Sequence, residues 1–557
     1  MASVDIKGAE VEAAEIEAEM ETADKIVEVF KFPIPSFSPG ELEYERSVAT
    51  ANLLYRFSRP YFVVQPESPA QVQTIIKTAV SNRLKITVKN GGHSFAGFST
   101  TDRGILLDLA RMQDVRLHNG PNDKPVAVTL GGGAQWGHAY KALVAGRYDG
   151  YMINGGRCPT VGVSGFVLGG GLGPFTRKFG MGCDSLTEAT IVTAKGDLVT
   201  VKETDDKESN EGKLFWALRG AGGGNFGVVV ELKMKVQRVH DRIVAGRFTY
   251  SQLDESFMGA MRELYRFDWP VDATIDTHWV CEVKPNDASS YVRFVAYFNG
   301  EEREFRGLID RAIGNVHPEL AARMKERTLS EPSTLFLHET LVAQWWEETT
   351  RAFPSNKAYS LYTSFVFEKR FEIVNIVADK VRDWLDRFQS SFSEDEAILE
   401  VTWVHAGGHA RVVESDQTAF PWRAGTYFTY IMVRWYDKWL SAKMGQFLEA
   451  FKHDLRRFSM ESEAAYINFA DVSLRDYASA YYGPNYPRLQ EVKQIWDMYD
   501  YFHPPQGVRL PKSKDSTRNG VDWMDLPRRQ WESRGALPTQ KKAEFAGIIR
   551  DLTGLGF

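Results

Sequence analysis

Apolar and polar positions change rhythm part-way along the chain. From Tyr61 an apolar run, Tyr61-Phe62-Val63-Val64, reads as a strand, and Ser68-Pro69-Ala70-Gln71 opens a helix with a capping serine, a first-turn proline and a capping-box glutamine. Val72, Ile75, Ile76, Ala79 and Val80 then share one helical face, and Ser81-Asn82-Arg83 ends the run before a strand over Lys85 to Lys89. This is a β-α-β unit. Short strands follow at Gly104 to Leu109, Val126 to Leu130 and Leu186 to Ala194, the last turning at Lys195-Gly196-Asp197 into Leu198 to Val201. After about His240 the glycine clusters stop and longer alternating strands appear at Thr277 to Val283, Tyr291 to Phe298, Ile398 to Val404 and Tyr427 to Trp435. Amphipathic helices over Phe371 to Phe388 and Lys438 to Phe458 accompany them. The pattern predicts an α+β chain whose second unit is an antiparallel sheet backed by helices on one face, with the other face free to cover something.

Composition narrows the partners. Of 557 residues 43% are apolar and 25% charged, which excludes a disordered or fibrous chain. Lys plus Arg number 67 against 73 Asp plus Glu, so there is no basic surplus for nucleic acid. The stretch Met1 to Asp24 holds eight acidic residues and only Lys7 as a base, the opposite of a secretory leader, and the chain has no N-x-Ser/Thr sequon. An intracellular location and an exposed acidic arm outside any core are therefore expected. The uncharged span Cys158 to Thr176 has the length of a membrane helix but contains six glycines and two prolines, so a glycine-rich loop is expected and no membrane association.

Three motifs point elsewhere and fail on context. Gly222-Gly223-Gly224-Asn225-Phe226-Gly227 matches G-x-G-x-x-G, yet a helix precedes it and a strand follows, the reverse of a dinucleotide fingerprint. Gly92-His93-Ser94-Phe95-Ala96 approaches a serine-hydrolase nucleophile elbow, with alanine for the last glycine. His405 and His409 are four apart, but Ala406-Gly407-Gly408 between them argues against a metal-binding helix, and no metal is expected.

Two glycine-rich turns remain, Lys89 to Gly97 and Gly155 to Gly165, the second continuing to Gly169-Gly170-Gly171. Glycines let successive N–H groups converge on an anion such as a pyrophosphate, and each turn carries one nucleophile, His93 or Cys158. Alone, either turn reads as a tight bend with a structural histidine or a small buried cysteine.

Together the two turns resemble the berberine-bridge-enzyme-like flavin oxidases of the vanillyl-alcohol-oxidase superfamily, with a PCMH-type FAD-binding fold. Arg59-Pro60 to Val64, the Gln71 to Val80 helix, Gly169 to Asp184, Gly222 to Val229 and Tyr481-Tyr482-Gly483 to Trp496 match family landmarks in the family's order. The resemblance covers residues from about 45 to 240 and about 400 to 510. It implies a two-part FAD-binding domain over 45–240, a substrate-binding domain over 241–460 and a segment over 461–510 returning to the FAD domain, with an arm over 1–44 and a tail over 511–557. It implies FAD bonded to His93 at the 8α-methyl and to Cys158 at ring carbon six, with Gly91, Gly92, Ser94, Val161, Ser164, Gly165, Gly170, Gly171 and Asn468 around it. Valine at 161 resembles the oxidases, so dioxygen is the expected acceptor and hydrogen peroxide the product.

The resemblance implies a hydride taken from a hydroxyl- or amine-bearing natural product, in some members with ring closure. The alternatives are an oligosaccharide oxidase and a flavin-binding module without redox activity. Alcohol oxidation needs a base within hydrogen-bond reach of the hydroxyl. The family's tyrosine base in Tyr-x-Asn-Tyr-x-Asp is replaced here, since the stretch reads Tyr466-Ile467-Asn468-Phe469-Ala470-Asp471. Strand alternation puts Tyr430 and Phe428 on one face and makes Tyr430 the first candidate, with His278 and His405 on neighbouring strands as the others.

Overall fold

A computed structural model describes residues 6–31, 33–50, 52–341 and 358–511. Three sheets organise them. The β-α-β unit forms as its pattern demands: Phe62–Val64 and Ile86–Lys89 flank Ile105–Asp108 in parallel, with Pro69–Ser81 as the crossover helix. Ser68 caps that helix through Gln71 N–H, and Val72, Ile75, Ile76 and Ala79 are buried beneath it. The glutamine does not close a capping box; its side-chain oxygen accepts from the N–H of Glu67, one residue before the cap. Ser36–Phe37 adds an antiparallel edge to this four-stranded sheet. A second, six-stranded antiparallel sheet is built around the long strand Gly227–Arg238, between Pro125–Gly131 and Leu186–Thr193.

The third sheet has seven antiparallel strands in the order Thr328–Pro332, Arg242–Tyr250, Asp287–Phe298, Ala273–Lys284, Ala397–His405, Tyr427–Trp435, Tyr359–Phe367. Four of these are the strands the alternation predicts. Thr328–Pro332, Arg242–Tyr250 and Tyr359–Phe367 are additional. Odd-numbered residues of the central strands, among them Trp279, Trp403 and Trp435, are buried on one face with the helices Glu255–Arg266, Phe371–Ser391 and Ser441–Arg456. Even-numbered positions point the other way, toward the glycine-rich turns of the first half.

The acidic N-terminal stretch is not the exposed arm its charge suggests. Ile6–Phe30 is a helix, and Ala23, Ile26, Val27 and Phe30 are buried in the core of the first sheet. Glu19 anchors it further, accepting from Tyr61 Oη at 2.7 Å and pairing with Arg103 at 3.1 Å. Acidic residues occupy the outer face while apolar residues recur at helical spacing. Burying such side chains is worth about 1.5–3 kcal/mol each, more than an exposed arm returns. Apart from its first residue, the expected tail over 511–557 lies outside the described residues. The Cys158 to Thr176 span contains the six-residue helix Val163–Leu168 between turns and ends at the first residue of the short helix Thr176–Phe179. No described helix is long and apolar enough to cross a membrane.

Candidate active site

The even-numbered face of the third sheet and the glycine-rich turns enclose a cavity of about 830 Å³. This is near the upper end for small-molecule and cofactor sites, roughly 300–1,000 Å³. His93, Cys158, Gly91, Gly92, Ser94, Val161, Ser164, Gly165 and Asn468 all line it, as do Tyr430 and His278.

The two turns meet because they are glycine. A side chain at Gly91 would sit 2.5 Å from the Thr160 carbonyl oxygen and 2.6 Å from Gly162 N. Asn90 locks the contact, donating from Nδ2 to the Gly132 carbonyl at 2.6 Å and to Ser164 Oγ at 2.9 Å. The result brings residues 65 positions apart to one hydroxyl: Thr160 Oγ1 lies 2.9 Å from His93 Nε2 and 3.4 Å from Cys158 Sγ. Burial holds the His93 imidazole down to about 4, so it is neutral at physiological pH and can act as a nucleophile. The other two cysteines are buried away from the cavity. Burial, and then Asp184, pushes the Cys183 thiol up to about 12, and burial also raises Cys281.

A depressed histidine carries a linkage consequence. A group that protonates near 6.5 when unfolded and near 4 when folded favours the native state above 6.5 and withdraws that stability as pH falls toward 4. Flavin-free protein is expected to lose thermal stability across this window, and His93→Gln to lose much less. Equal losses in thermal melts from pH 7 to 4 would remove His93 as the cause.

The donor set suits FAD. Buried Asn90 Oδ1 has no hydrogen-bond partner, and a side chain at Gly165 would meet no atom within 4 Å, so this wall leaves room for a closely approaching group. The Gly222-Gly223-Gly224 turn, a poor dinucleotide fingerprint, also lines the cavity, preceded by the helix Asn210–Ala217 and followed by the strand Gly227–Arg238. Fully buried Lys493 secures it, donating to the Asn225 carbonyl at 2.8 Å while paired with Asp497 at 2.8 Å. The turn His503 to Gly507 joins it at the cavity wall.

The sheet face carries titratable side chains that line the cavity. In register across three strands stand His278, Thr402 and Tyr430, with Glu400 one row along. His278 Nδ1 lies 3.0 Å from Glu400 Oε1 and 3.0 Å from Thr402 Oγ1, and Thr402 donates to Glu400 at 2.8 Å. Burial opposes the Glu400 charge, but hydrogen bonds from His278 and Thr402 and the charge of Arg293 hold its carboxyl below the ordinary range. Tyr430 packs edge-on to Phe469 at 4.8 Å and to Phe95 at 5.5 Å. Phe95 in turn stacks on Tyr362 at 4.1 Å. Glu400, Thr402, Tyr362 and Thr160 were not among the sequence candidates. Glu400 had a signal: a lone acid in the apolar strand Ile398 to Val404, at the same parity as Thr402.

Three sequence candidates fall outside the cavity. His405 is buried behind it, stacked on Tyr427, with Nε2 2.9 Å from Arg177 Nη1 and Nδ1 accepting from Ile275 N. Burial and the Arg177 charge drive its pKa well below the usual range. Arg177 also donates to the carbonyls of Ala273, Ala406 and Trp269, so His405 belongs to a clasp between the two halves and is not a base for a cavity substrate. Gly170 and Gly171 do not line the cavity either. Their positive φ angles turn the chain, and side chains there would strike Met181 and Phe166. Ser94 Oγ accepts from Phe98 N, and the strand before it leads to another strand, Ile105–Asp108, not to a helix, so the hydrolase elbow is absent.

Comparison with known proteins agrees with this arrangement. The FAD binding domain family matches residues 60–202, and the berberine and berberine-like family matches residues 465–509. A carbohydrate oxidase from Microdochium nivale is 27% identical, over 86% of this chain and 93% of its own. A tetrahydroberberine oxidase from Argemone mexicana is 23% identical, over 86% and 89%. A histidine-to-alanine variant of berberine bridge enzyme in complex with (S)-reticuline has the same fold, with TM-score 0.70 and 20% identity over 88% of this chain and 99% of its own. The matched segments carry the two nucleophile-bearing turns and cavity-lining residues between Ile467 and Gly507, and the chain is similar in sequence and fold to the berberine-bridge-enzyme-like FAD-linked oxidases.

Proposed function

We propose that this oxidase holds FAD through bonds to both His93 and Cys158 and oxidises a hydroxyl- or amine-bearing natural product, reducing dioxygen to hydrogen peroxide. The observation that carries the proposal is the convergence of His93 and Cys158 on the Thr160 hydroxyl, opposite a sheet face bearing His278 and Tyr430. When bound, FAD supplies a two-electron acceptor that dioxygen can reoxidise. The chain's own residues do the rest. Phe95, Tyr362, Tyr430 and Phe469 give the substrate ring an apolar wall. His278 and Tyr430 are assigned the substrate proton, and Asn468 a cofactor contact. Anchoring the cofactor covalently keeps it bound without a closing lid, which leaves room for a bulky substrate.

An oligosaccharide is the second substrate class, favoured by the carbohydrate oxidase that matches nearly end to end and by the fit of aromatic rings to a sugar's C–H face. Anaerobic mixing with glucose, cellobiose, coniferyl alcohol and tetrahydroberberine separates the classes. Bleaching of the flavin by the aromatic compounds, with peroxide on admitting air, is the expected result. Bleaching by the sugars alone would transfer the proposal to the second class, and no bleaching by any would overturn it. Val161, half-buried at the cavity wall beside the Cys158 turn, is proposed to leave the path of dioxygen open. Val161→Ile is expected to slow reoxidation by air about tenfold, ~1.4 kcal/mol of barrier, with bleaching unchanged.

A further inference from the structure

We propose that Glu400 is a positioning residue that fixes the tautomer of His278, so that His278 Nε2 takes the hydroxyl proton of an alcohol substrate. The inference rests on the oxidase reading above and narrows its substrate to a C–OH group. Three observations carry it. Glu400 and His278 are both buried, and both line the cavity. An ionised carboxylate only accepts hydrogen bonds, so with Glu400 Oε1 at 3.0 Å the hydrogen resides on Nδ1; Thr402, which spends its own hydroxyl hydrogen on Glu400 at 2.8 Å, can share it. Among the described residues Nε2 has no hydrogen-bond partner, and it is the nitrogen left for an occupant of the cavity.

In the step this implies, the substrate O–H proton passes to Nε2 while the carbinol C–H hydrogen leaves with its electron pair to the oxidised flavin, giving C=O. The imidazolium keeps its Nδ1–H on Glu400, which stays ionised, and the Nε2 proton returns to solvent. Glu400 offsets the imidazolium charge, which the Arg293 cation opposes. Arg293 stands across from it on Asp287–Phe298, Thr402 and Glu400 on Ala397–His405, and Tyr430 beyond them on Tyr427–Trp435. On its own strand Asp276 is already committed to Arg157 at 2.7 Å, which leaves Glu400 as the carboxylate directed at the ring.

The test is the nitrogen spectrum of holoenzyme labelled with ¹⁵N-histidine. With eleven histidines, loss of one signal in His278→Gln assigns the resonance. The expected wild-type state at pH 7 is Nδ1–H with Nε2 bare. Glu400→Leu, which replaces the buried anion by an apolar side chain, should lose the Nδ1–H correlation, and Glu400→Gln, whose amide oxygen still accepts, should keep it. An Nε2–H tautomer in the wild type, or an unchanged spectrum in Glu400→Leu, overturns the proposal. Flavin content on the His93 and Cys158 peptides is measured on the same samples; its absence would count against the covalent-flavin reading while the tautomer still decides this one. If glucose or coniferyl alcohol bleaches the wild-type flavin, His278→Gln should slow that bleaching about 100-fold, the lower end of general-base contributions, with KM little changed.

Discussion

Acid-precipitated wild-type protein is expected to form a yellow pellet in which one flavin joins a His93 peptide to a Cys158 peptide. Two independent bonds, as proposed, would make the single variants informative. His93→Ala should retain flavin through Cys158, Cys158→Ala through His93, and only the double variant should give a colourless pellet. The geometry gives each nucleophile its own approach, since they flank Thr160 Oγ1 from separate turns, at 2.9 and 3.4 Å. Reactivity agrees with geometry: the imidazole is neutral at pH 7 because burial has lowered it to about 4, and Cys158 is the one cysteine of the three that lines the cavity. Thr160→Val removes the shared hydroxyl and should yield incomplete attachment at both sites. Peptide mapping by mass spectrometry reads all of these. Flavin on His93 alone would leave the oxidase intact but remove the case for an open site, and a colourless wild-type pellet would sink the covalent assignment.

What was legible in the sequence follows from which physics is local. Alternation over Thr277 to Val283, Ile398 to Val404 and Tyr427 to Trp435 gave strands and grouped Tyr430 with Phe428 on one face, but the register that sets His278 and Tyr430 on the same side runs through Thr402 on the strand between them. Strands with weaker signals were missed, and Tyr359–Phe367 took Tyr362 with it. Alternation separates His405 from His278 only once the register between their strands is known. His278 is even-numbered on its strand and faces the cavity, whereas His405 is odd-numbered, points to the other side and meets Arg177, a partner 228 positions away. The acidic arm failed for a related reason. Charge dominated its composition, while the four apolar residues that bury against the first sheet were spaced by helical periodicity. The glycine turn at Gly222 failed as a dinucleotide motif yet serves the cavity, since a turn's local context says nothing about what packs across from it.

Breaking the Arg157–Asp276 pair is expected to cost the holoenzyme about 3–5 kcal/mol, the range for stripping one partner from a buried ion pair. Both side chains are nearly inaccessible, and they meet at 2.7 Å across the two halves of the molecule. Arg157 also donates to the Leu172 carbonyl at 2.8 Å, and Asp276 Oδ1 accepts from His405 N at 2.9 Å. Arg157→Met would leave the Asp276 carboxyl buried without its cation. Asp276→Leu would do the same to the guanidinium. The double variant, with neither charge, should recover most of the loss, because the cost lies in the stranded charge more than in the missing attraction. Position gives the pair a second effect. Arg157 immediately precedes Cys158, and Asp276 lies two residues before His278 on the same strand, so the pair ties the cysteine turn to the sheet face that bears His278. Arg157→Met should therefore lower the melting temperature by several degrees and reduce flavin attachment at Cys158, while attachment at His93, on the other turn, stays complete. A double variant as unstable as either single one would show that packing around these side chains, and not their charge, sets the stability; equal loss of flavin from both peptides would show that the pair supports the whole cavity and not the cysteine turn.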